Sequence, residues 1–327
     1  MAATTAAADS SIKRQHVSSD FIQLSGIPTH VMKYGKLDLN PDKYLILVIP
    51  GNPGIIEYYE HYMEELFTQS NCQIPVWGIA HAGHVKVPKH IKYSEPDADV
   101  YSLDGQIAHK IEFIERHVPR DAKLIFVSHS IGSRIALEIM KRKPELNVVK
   151  SLLLFPTIEY MAESQHGQIA FPLLRYLRWL AILIVTILSY LSPIVQYRIV
   201  RWYFQTRAVA RCAYNASLNL FDPISACNSM YLALKELEQV REPDLQTIGR
   251  YSERLIVYYG AVDHWCPLAY YERMKERFPA AEIYLCQQGF EHAFVLESSE
   301  QMAEMSWHWI ARVVGHSNNP IGDAINS

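Results

Sequence analysis

The chain has 327 residues, 49% hydrophobic and 20% charged, so it can bury a sizeable core as one large domain or two ordinary ones. A net charge of -3 gives no electrostatic case for a nucleic-acid partner. The five cysteines (Cys72, Cys212, Cys227, Cys266 and Cys286) are odd in number, widely spaced and without a C-x-x-C pair. That pattern argues against a disulfide framework or a zinc site and suits a reducing compartment.

In chain order, residues 1–19 are rich in Ala, Ser and Thr and lack an apolar stretch, so a disordered tail is expected there. Phe21–Leu24 and Thr29–Tyr34 flank Gly26-Ile27-Pro28 and read as an antiparallel hairpin at a sheet edge. Tyr44–Ile49 is almost wholly apolar, as a strand buried on both faces should be, and Gly51-Asn52-Pro53-Gly54 follows it. A helix is expected over Glu57–Thr68, a strand over Ile74–Ala80, and a helix over Ser102–His117 with Leu103, Ile107, Ile111 and Ile114 on one face. Lys123–Ser128 and Val148–Phe155 are further buried strands. From Pro156 to about Glu253 the alternation stops in a helical, strongly apolar segment. It resumes with a strand over Arg254–Gly260, a helix over Pro267–Phe278, a strand over Glu282–Cys286 and a helix over Glu300–Val314, before a tail at 316–327. Strands alternating with helices predict a mostly parallel sheet covered on both faces, with ligands at the carboxyl ends of its strands.

One stretch has the form of a nucleophile elbow. The strand ending at Ser128 leads through His129-Ser130-Ile131-Gly132-Ser133 directly into a helical pattern. At such a turn the nucleophile is held in a strained conformation, and the positions two before and two after it must be small, usually G-x-S-x-G. Gly132 fits and Ser128 replaces the first glycine. A serine hydroxyl needs a base to take its proton and an acid to orient that base. In this kind of sheet the chain order is Ser, then Asp or Glu, then His. Asp263 lies three residues past the strand-ending Gly260, and His292 follows the last strand in Gln288-Gly289-Phe290-Glu291-His292. His264 adjoins Asp263 but precedes the last strand and should point elsewhere. In the turn at 51–54 Pro53 has no N–H, so Asn52 is the expected oxyanion donor, paired with the N–H of Ile131 just after the nucleophile.

Other histidines carry less. His81 and His84 end a strand and could line the pocket, but read more simply as loop residues; His109 sits on a predicted helix with Asp104 as its cap. No carboxylate cluster or histidine pair has metal-ligand spacing, and no cofactor is implied.

These segments together resemble the α/β-hydrolase superfamily over roughly residues 20–315 and, more narrowly, the lipid-droplet-associated hydrolase family. The resemblance rests on Ile49–Gly54, Trp77–His84, Leu103–Lys110, His129–Ser133, Leu153–Glu159, and Tyr258-Tyr259-Gly260 with Asp263, Trp265, Cys266 and Pro267. It implies a serine hydrolase fold, residence on lipid droplets and the endoplasmic reticulum, and action on sterol esters or related lipids.

Within the insert, Trp179–Leu191 is uncharged, and Ser192-Pro193-Ile194-Val195-Gln196-Tyr197 extends it, with Arg175 and Arg178 before and Arg198 and Arg201 after. A membrane span needs about 20 apolar residues, and this run is borderline and broken by Pro193. It also lies between Ser130 and Asp263, which a single crossing would put on opposite sides of a membrane. The expectation is therefore one hydrolase domain (20–315) whose helical insert, 156–253, dips into one leaflet, with an ordinary cap helix over the pocket as the first alternative and a true span as the second. The chemistry expected is cleavage of carboxylic esters of apolar lipids. The rivals are a catalytically weak lipid-binding or organising protein on the same fold, and acyl transfer by the same site.

Overall fold

The computed structural model describes residues 17–37, 42–94, 96 and 99–315. The expected tail at 316–327 and most of that at 1–19 lie outside them. Residues 17–19 do not belong to a tail: Val17, Ser18 and Ser19 begin strand β1 (Val17–Leu24), paired in register with Tyr34, Lys33 and Met32 of β2 (Ile27–Tyr34). The two-residue loop between the strands holds Ser25 and Gly26 at φ 50° and 76°. Positive φ at both central residues matches the loop's twist to the hairpin, and Gly26 adopts it without steric cost.

Among the described residues, eight strands form one sheet in the order β1-β2-β4-β3-β5-β6-β7-β8. The remaining strands are β3 (Tyr44–Ile49), β4 (Val76–Ile79), β5 (Lys123–His129), β6 (Val148–Leu154), β7 (Leu255–Gly260) and β8 (Glu282–Cys286). β2 runs antiparallel to its neighbours β1 and β4, and every other pairing is parallel. β3 shows why its sequence is continuously apolar. Leu45, Leu47 and Ile49 pack on one side of the sheet with helices α2 (Leu103–His117) and α3 (Ile131–Arg142). Ile46 and Val48 pack on the other with α1 (Glu60–Gln69), against which the C-terminal helix also lies. Both faces are buried, so neither can be polar.

Helix α2 is capped by Ser102, whose Oγ accepts from the Gly105 N–H at 3.2 Å; Asp104 is not the cap but pairs with Arg142 at 2.6 Å. After β6 the chain leaves the sheet. It builds α4 (Gln165–Ser189), α5 (Pro193–Tyr203), α6 (Arg211–Leu218) and α7 (Pro223–Gln239), with no strand among the described residues of this segment. Helix α8 (Leu245–Tyr251) does not belong to this cap, although the insert was expected to run to 253. Ile248 and Tyr251 join the core beside α3, and Tyr251 Oη donates to the Met140 carbonyl at 2.8 Å. It is the crossover helix into β7, so the insert closes near Val240. Helices α9 (Leu268–Arg277) and α10 (Ser299–Val314) complete the layers.

Helix α4 begins 14 residues before Trp179, at Gln165, where the Ser164 hydroxyl caps it by accepting from the Gly167 N–H at 3.0 Å. It runs 25 residues with Pro172 inside it and buries only Gly167. Pro193 is the first residue of α5, where its missing N–H costs nothing, so the apolar run is two helices joined by a turn.

Candidate active site

Ser130 occupies the turn between β5 and α3 with φ 52° and ψ -124°, a region that L-residues rarely adopt. The crowding around it explains its neighbours. A Cβ on Gly132 would lie 2.3 Å from the Ile49 carbonyl oxygen, and one on Gly51 would lie 2.7 Å from Ser130 Cβ. Ser128 is fully buried, and its hydroxyl donates to the Leu152 carbonyl of β6 at 2.9 Å, so the residue standing at the usual glycine position ties two strands together.

Ser130, Asp263 and His292 are brought together. His292 Nε2 lies 2.9 Å from Ser130 Oγ, and His292 Nδ1 lies 2.6 Å from Asp263 Oδ2. Burial alone would raise the Asp263 pKa. The facing His292 and the N–H groups of Trp265 and Cys266, which donate to Oδ1 at 2.7 and 3.1 Å, outweigh it and hold the carboxyl below its ordinary range. An ionised Asp263 can only accept, so His292 Nδ1 carries the proton, and Nε2 is left to accept from the Ser130 hydroxyl. That is the tautomer a general base for Ser130 requires. His264 is exposed and lies against His166, with ring centroids 5.1 Å apart; the imidazole bonded to Ser130 Oγ is that of His292.

In the turn at 51–54, Gly51 N–H donates to Tyr59 Oη at 2.8 Å and Gly54 N–H to the Gly51 carbonyl at 2.7 Å. Pro53 has no N–H, which leaves Asn52 as the residue of the turn able to offer one beside the N–H of Ile131 at the start of α3. His81 and His84 are fully buried behind this turn rather than facing a pocket. His81 N–H donates to the Gly54 carbonyl at 2.8 Å, and His84 Nδ1 donates to the Pro53 carbonyl at 2.6 Å. Burial pushes His84 down to about 3, so it supports the turn as a neutral ring. His109 is likewise a buried structural residue, bonded to Thr29 Oγ1 at 2.7 Å.

Sequence reading missed Tyr59 and His129. His129 Nε2 faces the His292 carbonyl at 2.8 Å and so must donate to it, which leaves Nδ1 to accept from Tyr59 Oη at 2.6 Å. Burial, then the neighbouring His292, lowers His129 to about 3 and keeps it neutral. A chain of hydrogen bonds thus runs from Gly51 N–H through Tyr59 and His129 to the loop that carries His292. No local pattern announces it, because its members come from four separate segments.

Asp263, Cys266 and His292 have potential ligand atoms within 4.8 Å of one another. The Cys266 Sγ, however, donates to the Pro156 carbonyl at 3.1 Å. Burial and then the Asp263 charge push its pKa well up, so it is a neutral thiol and not the thiolate a metal prefers. The donor set therefore suits proton movement along Asp263–His292–Ser130 better than metal binding.

Beside the turn lies a cavity of about 450 Å³, lined by Asn52, Pro53, Tyr58, Phe204, Leu220 and Leu296 among others. One wall is the 51–55 turn with His129 and Ala293, and the opposite wall is α5, whose Trp202 and Tyr203 are largely exposed at the surface. Its size and apolar lining fit a hydrocarbon chain. Outside it, α4 exposes Leu173, Tyr176, Trp179, Leu183, Ile184 and Ile187. Two of the flanking arginines turn back to the protein: Arg175 pairs with Glu238 at 3.4 Å, and Arg178 lies over the Tyr231 ring at 5.8 Å.

A family model described as lipid-droplet associated hydrolase matches residues 42–295. The lipid droplet-associated hydrolase of Gallus gallus is 41% identical over 306 residues, covering 89% of this chain and 94% of its own. That of Homo sapiens is 39% identical over 316 residues, covering 91% and 96%. Among solved structures, a bacterial membrane phospholipase A superposes with a TM-score of 0.63 over 95% of this chain and 92% of its own at 16% identity. That likeness bears on fold alone, and the fold is that of the α/β-hydrolases.

Proposed function

This chain belongs to the lipid-droplet-associated hydrolase family, and from that premise we propose that it cleaves carboxylic esters of apolar lipids at a droplet surface. The observation that carries the reading is the His292 ring bonded on one side to Ser130 Oγ and on the other to Asp263 Oδ2. In this reading Ser130 Oγ attacks the ester carbonyl carbon while His292 Nε2 takes its proton. The carbonyl electrons move to oxygen, and the N–H groups of Asn52 and Ile131 receive the negative charge. The C–O bond to the alcohol then breaks, the alcohol leaves with the proton from His292, and an acyl-Ser130 ester remains. A water that gives its proton to His292 releases the carboxylate and restores Ser130. Asp263 stays ionised throughout and stabilises the imidazolium.

The cavity between the 51–55 turn and α5 takes the acyl chain, and α4 seats the molecule on the lipid. A helix of 25 residues is about 37 Å long, enough to cross a bilayer. Yet the chain returns from α4 to the sheet that positions Asp263 against His292. Insertion from the cytosolic face into one leaflet, of a droplet or of the endoplasmic reticulum, keeps all three residues on one side.

The test is a panel of emulsified lipids, including sterol esters and triacylglycerols, incubated with wild type and with Ser130→Ala. Release of fatty acid by wild type alone supports the reading. Emulsion binding without turnover by either protein would favour a lipid-binding role, and esters formed with an added alcohol would favour acyl transfer.

A further inference from the structure

Asn52 offers its side chain to the cap and not to the sheet. Its Nδ2 donates to the Ser229 carbonyl at 2.9 Å and to Glu236 Oε1 at 2.9 Å, so both amide hydrogens go to helix α7. The two acceptors are spaced seven residues apart, two turns along one face of that helix. Glu236 is 1% exposed. An apolar side chain would occupy that depth without the cost of desolvating a carboxyl group. Here the carboxyl is buried against the Asn52 amide. The rest of the turn is secured mainly from outside the cap, Gly51 by Tyr59, Pro53 by His84 and Gly54 by His81, while Ser229 Oγ of α7 adds a longer bond to the Pro53 carbonyl at 3.3 Å.

We propose that Glu236, with the Ser229 carbonyl, is a positioning residue for the oxyanion turn: the cap helix grips the Asn52 amide and thereby fixes the direction of the Asn52 backbone N–H. This rests on the reading of Asn52 and Ile131 as oxyanion donors. With both amide hydrogens fixed, χ1 and χ2 of Asn52 are fixed, and rotation of the 51–52 and 52–53 peptide planes is opposed. Without the grip, the N–H swings away from the developing oxyanion while the ground-state ester binds as before.

The test uses full-length protein and a soluble short-chain p-nitrophenyl ester. Glu236→Leu is expected to lower kcat about 10-fold, less than the 100-fold or more that follows outright loss of an oxyanion donor. KM should stay within about two-fold, and affinity for an alkylboronic acid, whose serine adduct is a charged tetrahedron, should fall by the same factor as kcat. Glu236→Gln keeps an acceptor oxygen in place and should restore both. Asn52→Ala should reproduce the loss, and combining it with Glu236→Leu should add nothing further.

Unchanged kcat in folded Glu236→Leu, additive losses, or equal damage from Gln and Leu would overturn the proposal. If Glu236→Leu fails to fold, Asn52→Ala, at a half-buried position, decides alone, and wild-type kcat in that variant overturns it. Ser130→Ala in the same assay separates the two levels. Full turnover there defeats the nucleophile assignment itself, whereas loss there with no loss in the other variants defeats the grip only.

Discussion

Ser130 Oγ lies 2.9 Å from His292 Nε2, although 162 positions separate the two residues. Between them the chain leaves the sheet, builds a 25-residue apolar helix with almost no burial, and comes back. In the proposed function, the meeting of these two side chains requires α4 to enter and leave a lipid surface on the same side.

Charge placed on the outer face of α4 is expected to release the protein from lipid. Leu183, Ile184 and Ile187 are 48%, 49% and 60% exposed, so substituting Glu at all three disturbs little packing. Burying such side chains contributes about 25 cal/mol per Å², several kcal/mol in total, so binding to emulsion droplets should fall by orders of magnitude. Turnover of a soluble ester should stay within about two-fold. Retained flotation with droplets would place the anchor elsewhere, and loss of soluble-ester turnover would make α4 a lid over the site.

Gly132→Ala should be severely destabilising. The new Cβ would meet the Ile49 and Pro50 carbonyl oxygens at 2.3 and 2.7 Å, and neither backbone group can rotate away. A loss above about 3 kcal/mol in urea unfolding is expected. An unchanged midpoint would mean that α3 does not approach the loop after β3 this closely.

Ser128→Gly should keep turnover within about two-fold but lower stability. It removes the bond from Ser128 Oγ to the Leu152 carbonyl and places glycine inside a strand. Together these cost about 1–2 kcal/mol. A large drop in kcat with folding intact would give the hydroxyl a role in the chemistry.

These cases show which parts of the molecule were legible in the sequence. The elbow was, because its requirement for small residues acts over four positions. The meeting of Asp263 and His292 beside Ser130 was, because each follows a strand end recognisable from a short apolar run. Strand β1 begins four residues before the expected Phe21, since Val17–Asp20 is exposed at the sheet edge and carries no apolar alternation to mark a strand. The cap ends before the expected 253 because α8, helical like the cap, is buried in the core beside α3 and belongs with the sheet. Tyr59, His129 and Glu236 went unread because their partners lie far along the chain: 70 positions separate Tyr59 from His129, and 184 separate Asn52 from Glu236. No periodicity or spacing carries such a pairing.

Glu236 should leave a mark on the pH dependence of stability. Burial raises its pKa from 4.5 to about 8, outweighing the Asn52 bond. Between those values the folded chain holds a proton that the unfolded chain has lost, so stability falls as pH rises across the window and levels off above it. Glu236→Gln has no such proton. Its stability relative to wild type should therefore grow from pH 5 to pH 8, by on the order of a few kcal/mol. Asp263, with its lowered pKa, loses stability as pH falls through its folded pKa, but both proteins carry it and the contribution cancels. A constant difference in melting temperature across the range would show that Glu236 is ionised when folded.

The most direct measurement of the central assignment is the rate of covalent labelling by a fluorophosphonate, which reacts with a serine only when a base takes its proton. Wild type should label readily. Ser130→Ala should not label at all, and His292→Ala should label slower by orders of magnitude, with all three proteins showing the same melting behaviour within a few degrees. Full labelling of Ser130→Ala, or undiminished labelling of His292→Ala, would contradict the account.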